Sequence, residues 1–72
     1  MNVKQIVGKN LQEARKSKGY SQKQVAELMH KYQPDYSQYE NGIIELDYEK
    51  IVFLCKLFDI TPNDLFEGTS EK

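Results

Sequence analysis

The chain is short of nearly everything that catalysis or a covalent framework needs. Its 72 residues hold one cysteine, one histidine, two prolines and no tryptophan. A lone cysteine, Cys55, excludes an internal disulfide framework and suits a reducing compartment. A lone histidine, His30, has no second imidazole or pair of thiols with which to hold zinc, so it reads as a turn residue or a neighbour of phosphate. No glycine-rich phosphate loop and no acid cluster around a cleft are present, so neither an enzyme, a cofactor nor a small-molecule ligand is expected. No apolar stretch approaches the roughly 18 residues of a membrane span, and no basic start followed by an apolar run suggests a leader. The expected location is the cytoplasm.

What is present is enough for one small domain, with 39% apolar residues to fill one core. A chain of this size buries only about 60% of its unfolded surface, so association with a second copy would add usefully to stability. The net charge is only −1, but it is unevenly spread. Residues 1–31 carry seven basic residues against Glu13 and Glu27, a balance of +5, and residues 32–72 carry three against nine acids, a balance of −6. A domain so polarised can turn a basic face to phosphate and its acidic half away.

Periodicity predicts five helices and no strands. Val3, Val7, Leu11 and Ala14 recur at helical spacing, and Gly19 ends that helix just after Lys16 and Lys18. Ser21 with Gln24 forms a capping box that starts a second helix, with Val25, Ala26, Leu28 and Met29 as its buried face. A third helix turns Tyr36 and Tyr39 inward and stops at Gly42, a left-handed position. A fourth, from about Tyr48 to Phe58, buries Ile51, Leu54, Cys55 and Phe58. Thr61-Pro62-Asn63-Asp64 caps and opens a short fifth helix, which Leu65 and Phe66 fix to the core. The domain is expected to span residues 1–67, with 68–72 as a flexible tail.

Two short helices joined by a tight turn, with glutamines on the faces left open, make the layout of a helix-turn-helix. The ordered residues Val7-Gly8-Lys9-Asn10-Leu11, Arg15, Gly19-Tyr20-Ser21-Gln22, Val25-Ala26, Tyr36-Ser37-Gln38-Tyr39-Glu40-Asn41-Gly42 and Ile51…Leu54-Cys55…Phe58…Ile60…Leu65-Phe66 resemble the phage-repressor-like, or XRE-type, transcriptional regulators. The resemblance implies an all-α, compact five-helix lambda-repressor-like domain that binds double-stranded DNA. It implies that Gln22 touches a phosphate and braces the third helix, that Arg15 and Glu40 bridge the first helix to the end of the third, and that Asn41 and Gly42 approach the DNA backbone. Lys23 and Lys31 are further candidates for backbone contact. The base-reading positions fall on Tyr32, Gln33, Pro34, Asp35, Ser37 and Gln38, with Gln33 and Gln38 the best suited to adenine.

Three positions depart from the family pattern. His30 stands where glycine is usual, so the turn is either left-handed at a cost of about 1–2 kcal/mol or rebuilt. Pro34 pins the start of the third helix, and Asp35 with Gln38 is expected to cap it, which would begin the helix late and leave Gln33 in the turn; the alternative keeps Asp35 as a base reader. Ile43-Ile44-Glu45 stands where many relatives place basic residues against phosphate, which weakens the electrostatic part of binding.

The fourth helix is apolar beyond one face. Val52, Phe53 and Leu57 are therefore expected to face a second copy, giving a homodimer; the alternative folds Val52 and Phe53 against the fifth helix or the N-terminal residues. Two functions fit: a DNA-binding regulator, expected to be a repressor on a palindromic operator, or a helix-turn-helix scaffold that recognises a protein partner through Tyr32, Tyr36 and Tyr39.

Overall fold

The computed structural model describes residues 2–69, and it is built from helices. Their order is α1 (Val3–Ser17), α2 (Gln22–Leu28), α3 (Gln33–Glu40), α4 (Tyr48–Phe58) and α5 (Pro62–Leu65), with no strand among the described residues. The expected all-α, five-helix architecture is the observed one. Of the expected tail, Gly68 and Thr69 are described, and the Thr69 N–H donates to the Phe66 carbonyl at 3.1 Å. Residues 70–72 lie outside the described residues.

Local chemistry sets both ends of the helices. Asn2, Ser21 and Thr61 each form a reciprocal capping box with the residue three positions on, starting α1, α2 and α5. Asp47 caps α4 by accepting from the Lys50 N–H. Four helices end in the same double bond pattern, a Schellman motif. Tyr20 donates to Arg15, Lys31 to Ala26, Ile43 to Gln38 and Ile60 to Cys55, each across a left-handed residue. Two of those residues are Gly19 and Gly42, and two are not glycine: His30 and Asp59, both at φ 58°. The turn at His30 is thus left-handed rather than rebuilt.

The core joins all five helices. Leu11, Val25, Ala26, Tyr36, Tyr39, Leu54, Cys55, Phe58 and Leu65 are buried in one cluster. The Tyr20 and Phe58 rings pack at 5.9 Å, and Tyr36 meets Tyr39 edge-on at 6.1 Å. Gly8 lets α1 lie directly on the end of α3, since a Cβ there would stand 2.5 Å from the Glu40 carbonyl oxygen and 2.6 Å from that of Tyr39. Asn10 ties the other end of the chain, its amide donating to the Leu65 and Glu67 carbonyls at 2.9 and 2.8 Å.

Two core assignments fail. Leu28 is 49% exposed, because it is the last residue of α2, where the helix runs out beside the turn. Phe66 is 38% exposed. Leu65 alone is fully buried in α5, and Phe66 only edges a cleft of about 210 Å³ shared with Val3, Val7, Tyr39, Ile44 and Tyr48. That volume falls short of the 300–1,000 Å³ or so usual for small-molecule sites.

Candidate nucleic-acid interface

The open faces of α2 and α3 lie side by side, joined by residues 29–32. Ser21 holds the first turn of α2, so Gln22 and Lys23 sit at its positive end. Across the turn, Tyr32 is the N-cap residue of α3 but makes no side-chain cap, and Gln33, Pro34 and Asp35 occupy the first helical turn. The expected cap by Asp35 is therefore incorrect. Pro34 is accommodated because a first-turn residue has no intrahelical N–H bond to lose, and the helix starts three residues earlier than expected, with Tyr32 rather than Asp35 at the N-cap. Asp35 is exposed in that turn, where its charge suits the helix dipole. Gln33 belongs to the helix, not the turn.

A buried carboxylate organises this surface. Glu40 accepts from Arg15 twice, from Nε at 2.7 Å and Nη2 at 3.2 Å, from the Tyr36 hydroxyl at 2.7 Å and from Gln22 Nε2 at 2.8 Å. Arg15 spends Nη1 on the Tyr20 carbonyl at 2.8 Å. Arg15 and Glu40 are both buried, and among the described residues no buried side-chain nitrogen or oxygen lacks a partner. An ion pair in this setting is kept by its additional hydrogen bonds as much as by Coulomb attraction. Burial, together with the neighbouring Glu40 carboxylate, pushes the Tyr36 hydroxyl far above its ordinary value. Tyr36 therefore stays a neutral donor.

The network reaches the surface through two amides. Gln33 Nε2 donates to Gln22 Oε1 at 2.6 Å, so the first residue of α3 is linked through Gln22 and Glu40 to α1. Ser37 Oγ accepts from Asn41 Nδ2 at 3.2 Å, and both Ser37 and Gln38 are half-buried on α3. Lys31 Nζ stands 5.7 Å above the Tyr39 ring, a cation–π contact. Tyr32 is 81% exposed beside His30, Lys31 and Asp35. Gly42 needs both its φ of +73° and its missing side chain, since a Cβ would meet Gln5 at 2.8 Å. The loop residues Ile43, Ile44 and Glu45 that follow are exposed.

The residues named in advance thus fall into three groups. Gln22, Lys23, Tyr32, Gln33, Asp35, Ser37, Gln38 and Asn41 share the surface of α2, the turn and α3. Arg15 and Glu40 lie beneath it. Val52 and Phe53 are exposed on α4, while Leu57 is half-buried against the core. Among the described residues neither Val52 nor Phe53 is buried under another segment. Sequence reading missed Gly8 as the contact between α1 and α3, although the lone glycine in a long helix was a usable signal.

A family model described as a helix-turn-helix domain matches residues 8–71. The chain belongs to the helix-turn-helix domain family. Its α2-turn-α3 unit is the element from which the family takes its name. A curated relative is the SPbeta prophage-derived uncharacterized HTH-type transcriptional regulator YonR of Bacillus subtilis (strain 168), 32% identical over 64 residues. Those residues make up 89% of this chain and 59% of YonR, so the chain spans about three-fifths of that relative. Among solved structures, the restriction-modification controller protein C.AhdI from Aeromonas hydrophila superposes with a TM-score of 0.75 at 31% identity, covering 86% of this chain and 94% of C.AhdI. No helix among the described residues is long and apolar enough to cross a membrane, and no group of three or more His, Cys, Asp or Glu there could hold a metal ion.

Proposed function

We propose that this helix-turn-helix domain is a sequence-specific DNA-binding transcriptional regulator, a repressor that grips a palindromic operator as a homodimer inside the cell. In this reading α3 enters the major groove, and two copies meet half-sites about one helical turn, roughly 34 Å, apart. The domain is a binding module and not an enzyme, as its family membership and its likeness to a controller protein indicate.

The observation that carries the reading is the hydrogen-bond chain from Glu40 through Gln22 to Gln33. A carboxylate only accepts, so Gln22 turns its NH₂ to Glu40 and its carbonyl to Gln33. Gln33 in turn gives one N–H to Gln22 and keeps its carbonyl and second N–H free. Those two groups match the N6–H donor and N7 acceptor of adenine. Gln38 and Ser37 are the next candidates for bases, with Tyr32 and Asp35 at the rim. Gln22, Lys23, Lys31, Asn41 and Gly42 are suited to phosphate, Gln22 at a helix N-terminus.

Of the three tyrosines expected on a partner surface, Tyr36 and Tyr39 are buried in the core and only Tyr32 is exposed; Tyr32 and the acidic, apolar loop Ile43-Ile44-Glu45 favour a second reading, a scaffold for a protein partner. Salt separates the two. Fluorescence anisotropy on a selected duplex should show affinity falling by orders of magnitude between about 50 and 200 mM salt, and Lys23→Ala should lower the slope by about one. Tight binding to a protein with no salt-dependent DNA affinity would favour the scaffold.

A further inference from the structure

Helix α4 has a second stripe besides the one it buries. Leu54, Cys55 and Phe58 face the core, with Ile51 packed beside them. On the open side Glu49, Val52, Phe53 and Lys56 are all exposed, at positions i, i+3, i+4 and i+7. Val52 is 50% and Phe53 40% exposed. The stripe is acidic at its N-terminal end, apolar in the middle and basic at its C-terminal end. Glu49 and Lys56 lie about 10 Å apart along the axis and cannot pair with each other. Among the described residues, neither is in an ion pair; the pairs that form are Arg15–Glu40, Lys18–Asp59 and Lys50–Asp47.

We propose that this stripe is self-complementary and docks on the same stripe of a second copy, with the two α4 helices antiparallel about a two-fold axis between Val52 and Phe53. This register rests on the homodimer proposed above and specifies how it forms. A two-fold contact uses one patch twice, so a residue and its opposite number exchange roles across the axis. With the axis between Val52 and Phe53, each Val52 meets Phe53 of the other copy. Glu49 then meets Lys56 at one end and Lys56 meets Glu49 at the other. Parallel packing would instead set like charges together at both ends. A slip of one residue sets Glu49 against Cys55 or Leu57 and leaves the charges unpaired. Leu28, exposed next to Phe53 across a shallow groove, extends the apolar centre beyond the helix. Apolar residues thus supply the attraction, and the terminal charges select the second copy and its direction.

The test is sedimentation equilibrium of the whole chain at about 50 mM salt, with Glu49→Lys, Lys56→Glu and the double exchange. Each single variant sets like charges together at both ends of the contact and should weaken the dimer about tenfold or more, less so at high salt. The double exchange reverses both charges and should recover wild-type dimerisation. An equimolar mixture of the two single variants should associate better than either alone, which also shows that each is folded. Single variants that dimerise like wild type, or a double exchange that is not rescued, would overturn the register while leaving the homodimer standing. A wild-type chain that stays monomeric both free and on DNA would overturn the homodimer and the register together.

Discussion

Replacing Glu40 by alanine should remove most of the domain's stability. Four hydrogen bonds from three side chains converge on that carboxylate. Without it, the Arg15 guanidinium remains buried with no anion, and the Tyr36 hydroxyl loses its acceptor. Breaking one partner of a buried pair costs about 3–5 kcal/mol. A 72-residue domain holds only about 4–11 kcal/mol in total. Urea unfolding at pH 7, followed by far-UV circular dichroism and extrapolated linearly, should therefore show Glu40→Ala near the edge of folding at 25 °C. The complementary variant replaces the whole cluster with apolar groups, as Arg15→Met with Tyr36→Phe and Glu40→Met. It should be distinctly more stable than Glu40→Ala, because no buried charge is left unpaired. A loss under about 1 kcal/mol for Glu40→Ala would refute this reasoning, as would a triple variant less stable than the single one.

Other outcomes follow from the helix ends and the α1–α3 contact. His30→Gly should raise stability by up to about 1 kcal/mol, since glycine adopts the left-handed conformation without the Cβ clash but loses more freedom on folding; thermal melts check it. Ser21→Ala removes the cap of α2 and should cost about 1 kcal/mol by the same melts. Gly8→Ala should unfold the domain or separate α1 from α3, because the atoms a Cβ would strike are backbone oxygens that cannot step aside; the loss of tyrosine near-UV dichroism reports it. Folding raises the Tyr36 hydroxyl above its unfolded value of 10.0, so the folded state holds that proton more tightly. The resulting stability is fully present below pH 10 and is lost as pH rises past it, so urea midpoints should fall between about pH 10 and 11 and fall less in Tyr36→Phe.

Much of this architecture was legible because single residues dictate it. Ser21 with Gln24 fixed where α2 begins, Gly19 and Gly42 where α1 and α3 end, and the paired tyrosines which face of α3 turns inward. Arg15 and Glu40 could be paired only through the family resemblance, since 25 residues separate them and no local rule connects them. The errors share a cause. Leu28 and Phe66 carry the apolar character of core residues, but each lies at a helix end, where periodicity loses its direction. Asp35 matched a capping box, yet Pro34 could enter the first turn and let α3 start upstream. Asp59 gave no warning of its left-handed φ, because only glycine announces that conformation in a sequence, and Asn10 none of its reach to Leu65 and Glu67, because that depends on how distant segments meet.

The most direct test of the central claim is selection of bound sequences from randomised duplex DNA by the purified chain, at two salt concentrations. The account predicts a two-fold motif with half-sites about one turn apart, and an adenine in each half-site whose preference disappears in Gln33→Ala. Retention of DNA with no enriched motif, or a motif unchanged in Gln33→Ala and Gln38→Ala alike, would contradict it.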